Sequence, residues 1–100
     1  MHDPELLTRD TFAANLHSIF RVVLTPEHSV DIRLVEVSEL KTTRRQERFS
    51  ILFEGPLDSF LNQGAYTMEH EHLGTFDLFI VTIAKEEECF VYEALFNRLV

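Results

Sequence analysis

The segment Glu69-His70-Glu71-His72 carries the residue types best suited to chemistry in this sequence. On a β-strand, side chains alternate between the two faces, so His70 and His72 would lie together and the two glutamates would face the other way. Paired imidazoles are good zinc ligands, but a catalytic zinc needs three protein ligands and a structural zinc needs four. A third ligand would have to come from elsewhere, for example His17, His28 or Glu93. The segment is a candidate metal site, and the simpler interpretation is a polar strand end whose histidines pair with carboxylates.

Other signs of catalysis are weak. Cys89 follows Glu86-Glu87-Glu88, and neighbouring carboxylates raise the pKa of a thiol, which is the opposite of what activates a cysteine nucleophile. No serine lies in a G-x-S-x-G elbow. The three glycines are spaced nine and ten residues apart, so neither common phosphate-binding glycine loop is present. We therefore expect a protein that is not an enzyme and has no cofactor, with a metal- or small-molecule-binding protein or enzyme that uses His70 and His72 as the alternative.

Charge is distributed unevenly along the chain. There are 9 Lys and Arg residues against 17 Asp and Glu, which gives a formal net charge of −8. Four of the basic residues fall within Lys41–Arg48, where Arg44 and Arg45 are candidates for contacts with an acidic protein, although a solvated hairpin tip is the simpler interpretation. The acidic balance argues against nucleic acid as a partner. It also suits a small accessory or immunity-type protein that masks a basic partner.

The chain has the length of one domain, and 45% of its residues are hydrophobic. A single cysteine excludes an internal disulfide and favours a reducing compartment, so we expect a cytoplasmic protein. The start of the chain does not resemble a signal peptide, and no apolar run approaches the length of a membrane helix. Residues 1–6 are predicted to form a loose N-terminus. A helix is predicted over residues 7–16, with Thr8 as its N-cap and Leu7 packed on Phe12.

From residue 17 to 98, β-branched and aromatic residues dominate, with breaks about every ten residues, as in antiparallel sheets. A slip in the alternation between Val35 and Val37 predicts a bulge. So much apolar surface on short strands favours a small closed or partly open barrel, whose lumen would be too narrow for a ligand. Six strands are predicted: Ser18–Leu24, Val30–Val37, Arg48–Glu54, Ala65–Glu71, Thr75–Ala84 and Cys89–Asn97.

Two segments between or within these strands carry further predictions. Phe76–Ile83 is apolar on nearly both faces, so we expect a second cover from the N-terminal helix or a partner. Its outer residues Phe79, Val81 and Ile83 are the candidates for a protein contact, including one between copies of the chain. Residues 55–64 are predicted to form a helical turn that begins at Pro56 and ends at Gly64, with Leu57, Phe60 and Leu61 plugging an open end of the barrel.

Three motifs resemble those of an uncharacterised bacterial family of domains of about this length. They are F-x-G-P at Phe53–Pro56, Q-G-x-Y-x-(L/M)-E-H at Gln63–His70, and L-G-x-F-x-L-F at Leu73–Phe79. The resemblance covers residues 7–97 and brings no activity, because the family is a domain of unknown function. It implies an association with phage-tail-like or surface-associated assemblies. Gly74 is expected to adopt a positive φ in a tight turn.

Taken together, the sequence predicts an α+β, mostly β domain with a short N-terminal helix and about six antiparallel strands in a small barrel. We expect a non-catalytic interaction or assembly module with a protein partner, homo-oligomerisation, no nucleic acid and no membrane.

Overall fold

A computed structural model describes residues 7–99. Within them, one short helix is followed by seven strands: α1 (Arg9–Ala14), β1 (Ile19–Thr25), β2 (His28–Val37), β3 (Lys41–Thr42), β4 (Gln46–Pro56), β5 (Gly64–His70), β6 (Gly74–Lys85) and β7 (Cys89–Leu99). The predicted loose N-terminus, residues 1–6, lies outside the described residues.

The six long strands form a closed antiparallel barrel. Neighbouring strands follow the order β2-β1-β5-β6-β7-β4, and a β2–β4 pairing closes the ring. The two-residue β3 is an addition that pairs with the start of β4. The prediction of a mostly β fold with a six-stranded antiparallel barrel is therefore confirmed. Strand β3 was not predicted, because two residues carry no detectable alternation.

The helix is shorter than predicted. Thr8 is its N-cap, and the Thr8 Oγ1 atom accepts a hydrogen bond from the Thr11 amide at 3.2 Å, as expected. The predicted extension over residues 15–16 is wrong, because the chain turns at Asn15 and His17 takes a φ of 73°. A positive φ is incompatible with a right-handed helix, so it ends the helix and directs the chain into β1.

The hydrogen-bonded pairing between neighbouring strands is irregular or incomplete at two places in the barrel. The register of β2 with β4 shifts between Leu34 and Glu36, which confirms the predicted bulge. The pairing of β6 with β7 extends only from Val81–Glu93 to Lys85–Phe90, so the first half of β6 and the second half of β7 diverge. Phe12 of α1 packs at this end, with ring centroids 5.2 Å from Phe96 and 6.4 Å from Phe76. Helix α1 therefore closes the barrel end where the two strands separate.

The interior is filled by side chains. Fully or nearly fully buried residues come from the helix, from every long strand and from the loop before β5, in one continuous cluster: Phe12, Phe20, Val22, Val30, Ile32, Leu34, Phe49, Ile51, Phe53, Leu61, Met68, Leu73, Phe76, Leu78, Ile80, Tyr92 and Ala94. This agrees with a six-stranded ring, whose lumen is occupied by its own side chains.

The predicted helical turn in residues 55–64 is wrong. Pro56 instead ends β4, paired with Cys89, and the following residues form an irregular loop. Leu61 enters the core, and its amide donates to the buried Tyr92 hydroxyl at 3.0 Å, whereas Leu57 and Phe60 are exposed. The prediction was wrong because the fixed φ and the missing N–H of Pro56 suit the end of a strand as well as the start of a helix.

The outer face of β6 also differs from the prediction. Phe76, Leu78 and Ile80 are buried as expected, but Phe79 and Ile83 are exposed. The expected cover by the N-terminal helix is wrong, because α1 sits across the barrel end. No helix among residues 7–99 has the length and hydropathy that crossing a bilayer requires.

Candidate functional site

His70 ends β5 and organises the turn that follows. Its Nδ1 atom accepts hydrogen bonds from the backbone amides of His72 at 3.0 Å and of Leu73 at 3.2 Å. Its Nε2 atom lies 2.8 Å from the Ser18 hydroxyl, which donates to the Asn15 carbonyl. Because Nδ1 accepts from two amides, the ring proton belongs on Nε2, from which it is donated to Ser18. His70 thus joins the β5–β6 turn to the segment after α1.

The surroundings of His70 favour the neutral imidazole. The side chain is 7% exposed, and its ring lies 4.3 Å from that of Phe20, centroid to centroid. Burial, followed by the nearby His72, lowers the pKa of His70, while the charge of Glu71 acts in the opposite direction. A neutral ring with both nitrogens hydrogen-bonded is a structural element of the turn.

This arrangement bears directly on the predicted metal site. His72 belongs to the turn and is exposed, with its ring 5.8 Å from that of His70. A metal ion at His70 would have to displace either the two turn amides or Ser18, because both nitrogens already have partners. Metal binding by His70 and His72 stays a prediction that this hydrogen bonding disfavours. The sequence could not reveal the difference, since it depends on the turn at Glu71–Leu73.

A second group of ligand-type atoms lies where the end of β4 pairs with the start of β7. Among the described residues, Glu54, Glu86 and Cys89 bring their side-chain ligand atoms within 4.8 Å of one another. Burial, Glu54 and a 3.6 Å contact with Glu86 raise the pKa of the Cys89 thiol to about 11. The thiol is therefore protonated at neutral pH and a poor nucleophile, as its acidic neighbours in the sequence predicted.

A band of apolar side chains crosses the outer face of the barrel, and we call it the apolar strip. Residues paired directly across a ladder share a face, so Val81 and Glu93 lie on the same side. Two residues further along each strand, Phe79 and Leu95 lie on that side as well. The apolar strip is defined as Ala65, Phe79, Val81, Leu95 and Leu52, from β5, β6, β7 and β4. Ile83 is exposed beside it, as the extra residue at the register shift between Thr82 and Ala84.

Exposure is greatest at the middle of the apolar strip. Phe79 is 53% exposed and Leu95 is 72% exposed. The sequence pattern predicts a contact at Phe79, Val81 and Ile83, but the prediction does not include Leu95. A signal for Leu95 was present, because the inward pattern of Tyr92, Ala94 and Phe96 requires the residue between the last two to face outward.

The basic residues Arg44 and Arg45 occupy the exposed turn between β3 and β4. Lys41 and Arg48 flank that turn in paired positions of the ladder. We call Lys41, Arg44, Arg45 and Arg48 the basic hairpin. The structure thus brings the four basic residues of this segment to one corner of the barrel, well away from His70.

A shallow groove runs beside this corner, between the residues around Thr8 and the ends of β4 and β7. Its floor is apolar, with the rings of Phe49 and Phe96 stacked 4.7 Å apart. Its two arginines already have partners, since Arg98 pairs with Glu47 at 3.2 Å and Arg9 donates to the Ser38 carbonyl at 2.9 Å. The groove therefore offers no free cation to hold an acidic ligand.

Comparison with known proteins supplies a family and no activity. Residues 7–96 match the family described as Domain of unknown function (DUF6916). No curated protein and no solved structure matches the chain significantly. The match covers most of the sequence and confirms the resemblance to an uncharacterised domain family. On this basis, the chain belongs to the DUF6916 family.

Proposed function

We propose that this domain is a non-catalytic assembly module that binds a second copy of itself through the apolar strip. The observation that carries the proposal is the exposure of Phe79 and Leu95 on adjacent strands of one outer face. An isolated exposed leucine is ordinary, whereas several large apolar side chains exposed on neighbouring strands of a small domain indicate an interaction surface. An accessory role in a phage-tail-like or surface-associated assembly is compatible with such a module and stays a prediction.

Several features of the chemistry support a role without catalysis. The described interior is packed with apolar side chains, so the barrel offers no lumen for a substrate. Both nitrogens of His70 serve the turn, and the Cys89 thiol is held in its unreactive form. His70 and Cys89 are therefore engaged or unreactive, and the apolar strip is the surface that we assign to an interaction.

A second copy is a suitable occupant of the apolar strip for two reasons. An apolar surface is complementary to itself, and a two-fold contact needs only one such surface on each subunit. In addition, the net charge of −8 repels two copies except where carboxylates are few. The apolar strip meets this condition, since Glu93 is the one carboxylate between its β6 and β7 residues and is half-buried.

Sedimentation velocity over a concentration series up to high micromolar tests the proposal. We expect the wild-type chain to form a dimer and the variants Phe79→Asp and Leu95→Asp to sediment as monomers. Ser29→Asp is the matched control, because Ser29 is exposed on the opposite side of the barrel. Circular dichroism of each variant establishes that the barrel is folded.

Two outcomes would overturn the proposed function. One is a wild-type chain that stays monomeric over the whole concentration range. The other is self-association that persists unchanged in the folded Phe79→Asp and Leu95→Asp variants, since the contact would then lie elsewhere.

A further inference from the structure

The charges that surround the apolar strip are separated by sign along the strands. Beyond one end of the apolar strip lies the β6–β7 turn with Glu86, Glu87 and Glu88, next to Glu54 of β4. We call these four residues the acidic turn. Beyond the other end lies the basic hairpin. One basic side chain, Lys85, adjoins the acidic turn, where its Nζ atom lies 5.9 Å from the Phe90 ring centroid.

The β4–β7 ladder places the apolar strip midway between these two groups. Arg48 and Glu54 are the inner members of the two groups on β4, and Ile51 lies halfway between them. The ladder pairs Ile51 with Ala94, whose neighbour Leu95 is the most exposed residue of the apolar strip. At about 3.3 Å per residue, each charged group begins about 10 Å from this midpoint.

The outer members of the two groups give the same midpoint. Glu87 lies two residues beyond the Pro56–Cys89 pair, and Arg45 lies one residue beyond the Gln46–Leu99 pair at the other end of the ladder. The position halfway between them again falls at residues 51–52 of β4. The charge pattern is therefore antisymmetric about the centre of the apolar strip.

We infer that two copies associate in antiparallel fashion across a two-fold axis at the apolar strip, with the acidic turn of each copy against the basic hairpin of the other. This rests on the proposed function and adds the orientation of the partner. A two-fold axis at the midpoint inverts the direction of the strands, so it brings opposite charges together twice. A parallel arrangement would place like charges side by side, which is unfavourable.

The antiparallel contact reduces the electrostatic repulsion between two copies of a chain whose net charge is −8. Each acidic turn would lie within reach of the long, flexible side chains of Arg44 and Arg45. Both arginines are exposed, and neither has an ion-pair partner among the described residues. Such exposed pairs set orientation and association rate more than affinity. The affinity itself comes from burial of Phe79 and Leu95.

A charge-exchange experiment tests the orientation. The variant Glu87→Lys with Glu88→Lys leaves the acidic turn with no net charge, and the variant Arg44→Glu with Arg45→Glu does the same to the basic hairpin, so each variant removes the net attraction from both contacts of its own dimer. Each variant alone is expected to self-associate about tenfold more weakly than wild type. An equimolar mixture of the two should associate more tightly than either variant alone, because one contact of the mixed dimer has the wild-type charges and the other places the new lysines against the new glutamates. Glu27→Lys, in the β1–β2 turn, is the control for a change of net charge.

The outcomes separate this inference from the proposed function. Recovery in the mixture, with the mass limited to that of a dimer, supports the antiparallel arrangement. A dimer that depends on Phe79 and Leu95 but is indifferent to all charge variants overturns the orientation and leaves the proposed function intact. Species larger than a dimer that depend on the charges would indicate end-to-end contacts and overturn it as well. A wild-type monomer overturns both.

Disulfide trapping gives an independent readout. In a Cys89→Ser background, Leu95→Cys places a thiol close to the proposed axis, so two copies should form a cross-linked dimer under mild oxidation. Thr75→Cys, which is exposed on the outer face at the start of β6, is the control and should remain a monomer. Equal cross-linking at the two positions would contradict the proposed axis.

Discussion

Replacing His70 with alanine should destabilise the barrel strongly, because the imidazole is buried and both of its nitrogens are hydrogen-bonded. The substitution leaves the buried Leu73 amide without an acceptor, which costs about 1–3 kcal/mol. It also removes the contact with the Phe20 ring, worth about 0.5–1.5 kcal/mol. The His72 amide lies nearer the surface, where water can replace the imidazole. We expect the free energy of unfolding to fall by about 3 kcal/mol, equivalent to a decrease in Tm of about 15 °C.

Two substitutions of similar size separate the roles of the two nitrogens. Asparagine places its carbonyl oxygen near the position of Nδ1 and can still accept from the turn amides, whereas glutamine reaches toward Ser18 and cannot. The His70→Asn variant should therefore be more stable than His70→Gln. Ser18→Ala, which removes the Nε2 partner together with the hydrogen bond to the Asn15 carbonyl, should cost about 1 kcal/mol.

Urea unfolding followed by circular dichroism measures these differences. Equal slopes with denaturant are required for the comparison, because a changed slope would mean a changed unfolded or native state. The reasoning fails if His70→Ala loses less than about 1 kcal/mol, or if glutamine stabilises the chain better than asparagine does.

Three further predictions follow from other contacts. Because the pKa of His70 is lowered in the folded state, its contribution to stability is present above pH 6.5 and is lost as the pH falls below that value. The urea midpoint of the wild type should therefore drop below pH 6.5, and that of His70→Asn should drop much less. Gly55→Ala should lower the Tm, since a Cβ atom there would lie 2.9 Å from the Tyr92 ring, and overpacking costs about 1–3 kcal/mol; an unchanged Tm would show that the core yields freely. With a pKa of about 11, Cys89 should react slowly with iodoacetamide at pH 8, and Glu86→Gln should speed the reaction; fast labelling of the wild type would contradict the raised pKa.

The barrel could be predicted because its strands alternate and its turns are marked. Val30, Ile32 and Leu34 point inward against charged neighbours, and the slip after Leu34 correctly located the bulge. Thr8 likewise identified the start of the helix. These signals are local, so a single sequence contains them.

The parts that failed depend on contacts between distant segments. Pro56 fits two local structures, and only its pairing with Cys89 decides between them. The burial of His70 depends on Ser18 and Phe20, which lie about fifty residues earlier in the chain. The sequence placed Phe79 on the outer face, but it did not show whether the helix would cover that face, because a strand that is apolar on both faces is compatible with either outcome.

Helix α1 packs at the position where β6 and β7 diverge. Where these strands separate they share no ladder, and the ring of Phe12 packs against Phe76 of β6 and Phe96 of β7 instead. Unpaired strand edges are templates for pairing with other chains. Undocking of this six-residue helix would therefore remove the ring that lies between two unpaired strand edges, so we expect the resistance of the protein to aggregation to depend on how firmly Phe12 is packed.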